Sequence, residues 1–331
     1  MYQTAKPLFF KVETPMHVGS GSDLGHIDLP IQREKHTDFP MVQSSSLKGA
    51  LREHLEQNVS SLEDKIGVHL TFGYDNDGVD GKVKTFFEAK DNQDFAGALA
   101  FTDARLLLFP IKSYKGVFAL LTCPQVIEKL YKELSLVCDY DKDVTDKFAG
   151  NWDISEDKAV LADSDFLGIS GKVVLEEYAF NIDINEKNEK TMQDFAAKLS
   201  DFLDSKILSR LVVVSDDVFK DFTKLTTEVI TRTKIQNDTG TVQSGALFTE
   251  EYLPAESYMY SLVAAHRIFQ TTKQKNDEAR QQQFPKNAAN KPIRSAEDVR
   301  AFFKKHLKDI GQIGGSSTLG KGIVQFFKNQ L

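Results

Sequence analysis

The chain has two cysteines, one tryptophan and no long apolar run. Cys123 and Cys138 are too far apart for a Cys-x-x-Cys motif, and no further ligands cluster with them. That excludes a disulfide framework and leaves buried thiols in a reducing compartment as the expectation. No stretch approaches the length needed to span a bilayer, and the first residues lack the basic-then-apolar order of a secretory signal. A cytoplasmic location without a membrane partner is therefore expected. Nor is there a His-Glu-x-x-His run or a Cys/His pair at zinc spacing. A general basic excess is also missing: the net charge is −7, which argues against a wholly basic nucleic-acid binder.

Charge is unevenly spread, however. From Asp139 to Asp204 acids outnumber bases by about seventeen to seven, and from His266 to Leu331 bases outnumber acids by about thirteen to five. Such asymmetry permits a basic binding face on an acidic protein.

Local patterns read as an α+β chain. Pro7–Thr14 alternates as a strand, and Ser44 to about Asn58 is helical, with Leu47, Leu51 and Leu55 four residues apart. Gly49 in that helix suggests close approach of another group. Residues 73–95 read as a loop. Strands follow over Ala98–Phe109 and Val117–Thr122, then a helix over Pro124–Leu136. Lys172–Ile184 alternates as one strand, Thr191–Leu203 as an amphipathic helix, Leu211–Val214 as a short buried strand and Asp216–Leu225 as a helix. Thr226–Leu253 reads as a long hairpin turning at Asn237-Asp238-Thr239-Gly240, polar towards its tip and so projecting. A strand over Ser257–Ala264, a helix from Ser295 and a terminal strand Ile323–Phe327 close the chain. This order fits a ferredoxin-like βαββαβ core carrying insertions. We expect a single domain over 1–331, with a Gly-rich loop and Asp28 segment at about 15–43, and an acidic insertion at about 139–170. A hairpin at about 230–252, a mobile polar loop at about 270–292 and a second Gly-rich loop at 311–322 complete it.

Two glycine-rich stretches carry the chemistry. Gly19-Ser20-Gly21 offers backbone N–H groups that an anion can approach closely. The serines before Leu47 open a helix whose N-terminus attracts phosphate, and Lys48 and Arg52 share one face of it. Asp28 lies between, and a carboxylate beside a phosphate track needs a task, such as holding a metal ion or handling a proton. The second loop, Gly314-Gly315-Ser316 through Lys321-Gly322, nearly matches a P-loop. Gly322 stands where the Mg²⁺-binding hydroxyl would be, and only nine residues follow, so that reading fails.

Taken together, His17-Val18-Gly19-Ser20-Gly21, Ile27-Asp28-Leu29-Pro30-Ile31-Gln32-Arg33, Ser45-Ser46-Leu47-Lys48-Gly49-Ala50-Leu51-Arg52, Gly240-Thr241-Val242 and Gly245 through Pro254 form a recognisable set. The chain resembles the RNA-binding backbone subunit of type III-B CRISPR effector (Cmr) complexes in the RAMP superfamily, and the loop at 313–322 matches that superfamily's Gly-rich loop. The resemblance implies an RRM/ferredoxin-like palm with helical insertions and a protruding β-hairpin thumb. It implies copies stacked in a filament on guide RNA, other Cmr subunits as partners, and metal-dependent cleavage of complementary target RNA at regular intervals, with Mg²⁺ or Mn²⁺ as the cation. The family's aspartate aligns with Asp28, as cleavage residue and candidate metal ligand. His17, Glu250 and Tyr252 stand second. Gly19, Ser20, Gly21, Ser46, Lys48, Arg52, Arg232, Lys234, Gly314, Gly315, Ser316 and Lys321 are the expected RNA contacts. Whether Asp28 holds a cation or takes a proton stays open. A non-catalytic guide-binding scaffold and a stand-alone guide-processing ribonuclease are the alternatives.

Overall fold

The structure, a computed structural model, describes residues 4–22, 25–74, 79–87, 95–136, 152–269 and 278–331. Its centre is four antiparallel strands. Thr4–Val12 pairs with Tyr258–Ala265 on one side and with Ile323–Phe327 on the other, and Tyr258–Ala265 pairs in turn with Ala104–Lys112. Numbered along the chain, these four stand in the order four-one-three-two. Helix Ser44–Asn58 connects the first two and helix Ala296–His306 the last two. That is the expected ferredoxin-like palm.

Leu8, Phe9, Phe10 and Val12 are all buried, so both faces of the first strand are covered. Leu47, Leu51 and Leu55 form the buried stripe of the first helix. Each such leucine contributes roughly 1.5–3 kcal/mol relative to exposure. Helix Ala296–His306 starts in a capping box, with Ser295 and Asp298 each bonding the other's backbone, and buries Val299, Phe302 and Phe303. Gly49 has open space where a Cβ would stand, so the close approach expected there is not found.

Between the second and third palm strands the chain extends the sheet. Phe118–Thr122 joins Ala104–Lys112, and Leu211–Val213, Lys158–Leu161, Tyr178–Ile182 and Lys172–Leu175 follow in that order. The single strand expected over Lys172–Ile184 is a hairpin. Glu176, at φ 50°, turns the chain there, and periodicity alone does not reveal such a reversal. The next helix begins earlier than expected, at Glu186 behind an Asn185 cap. Within 73–95, Gly81–Phe87 is a helix that buries Val83, Phe86 and Phe87.

Of the acidic stretch at 139–170, residues 139–151, like Cys138, lie outside the described residues. The rest carries the strand Lys158–Leu161 and the helix Ser164–Leu167. Of 270–292, residues 270–277 lie outside them. The remainder holds the helix Glu278–Gln282, a fully buried Phe284 and a bridge between Lys286 and Pro292. Among the described residues no helix is long and apolar enough to cross a membrane.

The hairpin forms a sheet of its own, Glu228–Ile235 against Val242–Tyr252. Its outer residues Ile235, Val242 and Leu247 are at least half exposed. Its base is not free, and there the candidate site assembles.

Candidate active site

Three distant segments meet at the hairpin base. Met16 pairs with Leu253 through two backbone hydrogen bonds of 2.9 Å. The segment around Leu29 lies parallel along the outer edge of strand Val242–Tyr252, where Leu29 N–H donates to Thr249 O and Glu251 N–H to Leu29 O, both 3.0 Å. The C-terminal loop closes from the other side. Gly315 N–H donates to His17 O at 2.8 Å and Gly322 N–H to Pro15 O at 3.0 Å. Gly314, at φ 90°, passes so close that a Cβ would stand 2.3 Å from His17 O, so only glycine fits without displacement.

Alternation along the hairpin strand sends Glu250 and Glu251 to opposite faces. Glu251 is 2 % exposed and takes hydrogen bonds from Ile31 N–H at 3.0 Å, the Arg33 guanidinium at 2.5 Å and the Thr227 hydroxyl at 2.8 Å. It locks the Asp28 segment to the hairpin. Glu250 accepts from Arg232 at 2.6 Å and from the Tyr252 hydroxyl at 2.7 Å, and its second oxygen lies 3.7 Å from His17 Nε2. Burial pushes its carboxyl up, but Arg232, Tyr252 and His17 outweigh burial and leave it below the usual range.

His17 Nδ1 is 2.7 Å from Glu251 O. A carbonyl only accepts, so Nδ1 carries the proton and Nε2 faces Glu250. Tyr252 packs its ring 5.7 Å from the imidazole, and Lys321 Nζ lies 4.7 Å from the same ring, a cation–π contact. Burial, then the hydrogen bond to Glu250, raises the Tyr252 hydroxyl's pKa. Arg232 also reaches Ser316 Oγ at 3.4 Å, which ties the hairpin to the C-terminal loop.

Asp28 is exposed and joined to Thr249, one residue before Glu250 in the hairpin strand. Its Oδ2 accepts from Thr249 N–H at 2.7 Å and from the Thr249 hydroxyl at 2.9 Å, and its own N–H donates to that hydroxyl at 2.9 Å. The two bonds to the carboxylate hold it below the usual range. Oδ1 has no hydrogen-bond partner among the described residues. No group of three His, Cys, Asp or Glu side chains there could hold a metal ion alone. A protein-only cage does not fit, therefore, whereas a cation bound by one carboxylate oxygen and by substrate oxygens does.

His17, Gly19, Arg232, Glu250, Tyr252, Gly314, Gly315, Ser316 and Lys321 thus come together, whereas Asp28 contacts Thr249, the residue before Glu250 in the strand. Ser20 Oγ donates to Pro30 O at 3.2 Å, and Gly21 adopts φ 104° in the exposed part of its loop. Ser46 Oγ accepts from Gln32 Nε2 at 3.4 Å. Lys234 is exposed further up the hairpin. Lys48 and Arg52 turn elsewhere: Lys48 Nζ donates to Leu99 O at 3.0 Å, and Arg52 pairs with Glu56 at 2.8 Å and lies 3.3 Å from His69. Burial, then Arg52, lowers the Lys48 pKa. At the helix start Asp103 Oδ1 already takes the Ser44 N–H at 2.7 Å, so one of the free N–H groups expected for phosphate is occupied by a carboxylate. Thr249, Glu251, Arg33 and Asp103 were not foreseen. Only Glu251 left a signal, as half of an acidic pair in an otherwise apolar strand end.

The fold and this constellation define a RAMP protein: the sequence matches the RAMP superfamily over residues 9–325, and the chain belongs to it. It is 31 % identical over 320 residues to the CRISPR system Cmr endoribonuclease Cmr4 of Pyrococcus furiosus, covering 94 % of this chain and 91 % of that one. The CRISPR system CMR subunit Cmr4 of Saccharolobus solfataricus is 25 % identical over 345 residues, covering 98 % and 96 %. Among solved structures, oligomeric Cmr4 from Pyrococcus furiosus superposes with a TM-score of 0.65 at 26 % identity, over 98 % of this chain and 96 % of that one.

Proposed function

We propose that this chain is a backbone subunit of a type III-B CRISPR effector complex, which binds guide RNA as stacked copies alongside other Cmr subunits and cuts complementary target RNA through Asp28. It works in the cytoplasm. The observation that carries this reading is Asp28 itself, an exposed carboxylate held by Thr249 on one oxygen at the base of a projecting hairpin, two residues before the segment that pairs with the Gly19–Ser20 loop. Kinship to a Cmr endoribonuclease supports it.

The substrate brings its own nucleophile. A ribose 2′-oxygen attacks the adjacent phosphorus, the bond to the 5′-oxygen breaks, and the proton leaves the 2′-hydroxyl while one is gained by the 5′-oxygen. The reaction needs these three atoms in line, so the hairpin's contribution is to hold the target strand out of regular helical geometry. Asp28 would hold a divalent cation, Mg²⁺ or Mn²⁺, which supplies charge neutralisation at the phosphate. With Oδ2 held by the two Thr249 donors, Oδ1 is the oxygen left to bind a cation or to take a proton. Gly19, Gly21 and Gly314 offer backbone N–H groups and Ser316 a hydroxyl to phosphates, and Lys321 and Lys234 offer charge, whereas the Gly315 N–H is held by His17 O and both Ser20 donors by Pro30 O. Guide sequence is immaterial to these contacts, because base pairing carries the specificity.

The test is cleavage by the reconstituted guide complex, comparing wild type with Asp28→Ala at matched assembly and with chelator added. Loss of cutting with target binding retained supports the reading. Unchanged cutting by Asp28→Ala removes Asp28 from the chemistry. A wild-type complex that binds target tightly in Mg²⁺ and never cuts makes the chain a scaffold.

A further inference from the structure

An exposed aspartate is ordinarily free to rotate, and its hydrogen bonds to neighbours compete with water. Asp28 is exposed, yet two donors converge on one of its oxygens, and both belong to Thr249, 221 positions away. The Thr249 hydroxyl uses both its capacities here. It accepts from Asp28 N–H at 2.9 Å and donates to Asp28 Oδ2 at 2.9 Å. With the Thr249 backbone N–H at 2.7 Å, this closes a reciprocal clamp around one residue.

Other exposed aspartates of this chain are held in a different way. Asp80 accepts the Lys82 N–H at a helix start, Asp157 takes Ser155 and Asn181 side chains, and Asp309 pairs with Lys328. Those contacts cap, turn or neutralise. Asp28 caps no helix, and among the described residues no cation pairs with it. The main chain already joins the two segments without it, through Leu29 N–H to Thr249 O and Glu251 N–H to Leu29 O. What the Thr249 hydroxyl adds to its backbone N–H is therefore orientation: a second donor on the same oxygen fixes the plane of the carboxylate and leaves the other oxygen to solvent.

We propose that Thr249 is a positioning residue for target-RNA cleavage, which sets the Asp28 carboxylate so that Oδ1 is turned away from the hairpin, towards the cation it would hold beside the substrate phosphate. This rests on the reading of Asp28 as the cleavage residue. Thr249 sits in the hairpin strand itself. The carboxylate is consequently carried by the hairpin, so the element that would distort the target also aims the group that acts on it. A side chain that merely filled space would be replaceable by valine, which has the same shape and suits a strand equally well. A positioning hydroxyl is not replaceable in that way, but serine retains it.

The experiment uses the fully assembled guide complex with Thr249→Val, Thr249→Ser and Asp28→Asn, measuring the single-turnover cleavage rate and the target Kd for each. Misplacing a reacting group by about an ångström can cost on the order of 100-fold. Thr249→Val is thus expected to cut about 10- to 100-fold more slowly with Kd within about twofold, and Thr249→Ser to return within about threefold of wild type. Thr249→Val cutting at the wild-type rate while Asp28→Asn is inactive overturns the inference and leaves the proposed function intact. Thr249→Ser falling as far as Thr249→Val also overturns it, because then the methyl group and not the hydroxyl matters. Asp28→Asn cutting normally overturns both.

Discussion

Arg232 and Glu250 face each other diagonally across the hairpin, 2.6 Å apart, although their direct cross-strand partners are Phe248 and Ile230. Glu250 is 4 % exposed and Arg232 only partly covered. The pair stands where hairpin, His17 and C-terminal loop meet. Removing the guanidinium leaves a buried carboxylate with the Tyr252 hydroxyl as its remaining close donor. Arg232→Ala is expected to cost about 1–3 kcal/mol of stability, and Arg232→Lys less. Urea unfolding of the isolated chain measures this; equal midpoints for Arg232→Ala and wild type would contradict it.

The same carboxylate predicts a pH dependence. The folded Glu250 carboxyl sits below its ordinary value of 4.5, so the folded state favours its ionised form. Its contribution is complete above the unfolded pKa and disappears as pH falls through the lower folded value. The stability gap between wild type and Glu250→Gln should therefore shrink as pH falls below about 5. Unfolding midpoints across pH 3–5 test it, and a gap that widens as pH falls below 5 would refute the assignment.

Two glycines of the C-terminal loop separate conformational from steric cost. Gly320 has φ 69° with open space around a would-be Cβ, while Gly314 has φ 90° and His17 O at 2.3 Å. Gly320→Ala is expected to cost about 1 kcal/mol. Gly314→Ala should cost about 2–4 kcal/mol, because backbone must also move and the Gly315 N–H bond to His17 O is disturbed. Thermal unfolding compares them directly.

Much of this geometry was legible in the chain because its signals are local. The four-residue spacing of Leu47, Leu51 and Leu55, the Ser295–Asp298 cap and the Asn237–Gly240 turn each act within a few residues. What was not legible is long-range. Thr249 carries no mark that its hydroxyl closes on Asp28, 221 positions earlier. Lys48 and Arg52 look like a phosphate-binding pair, since helical spacing shows they share a face and cannot show that the Leu99 carbonyl lies within reach of Lys48, although it does offer Glu56, four residues on, as a partner for Arg52. Asp103 could not be foreseen at the start of the helix for the same reason.

That difference yields a prediction on RNA affinity. Lys321 reaches the site surface over Tyr252, and Lys234 is exposed on the hairpin. Each is expected to neutralise a phosphate, so Lys321→Ala and Lys234→Ala should each lower the salt slope of guide-RNA binding by about 0.7–0.9. Lys48→Ala should leave the slope unchanged and instead lower stability, because its ammonium is spent on a main-chain carbonyl. Binding isotherms at several salt concentrations decide this. A slope change for Lys48→Ala equal to that of Lys321→Ala would place Lys48 at the RNA after all.

The outer hairpin offers a final test. Ile235 and Val242 are direct cross-strand partners, both half exposed, with Leu247 more exposed still. Apolar side chains grouped on a projecting element mark an interaction surface more often than a solvated one. In a stack of copies the hairpin of one protomer has a neighbour to cover these residues, whereas in the isolated chain they face water. Replacing the pair with opposite charges, Ile235→Lys with Val242→Glu, keeps the hairpin, since opposite charges directly across two strands contribute about 0.2–1 kcal/mol. The isolated double variant should therefore unfold within about 0.5 kcal/mol of wild type. On guide RNA it should load fewer copies, which mass photometry of the assembled complex would count. Full loading by the double variant would show that stacking does not use this patch, and would shift attention to the palm surfaces.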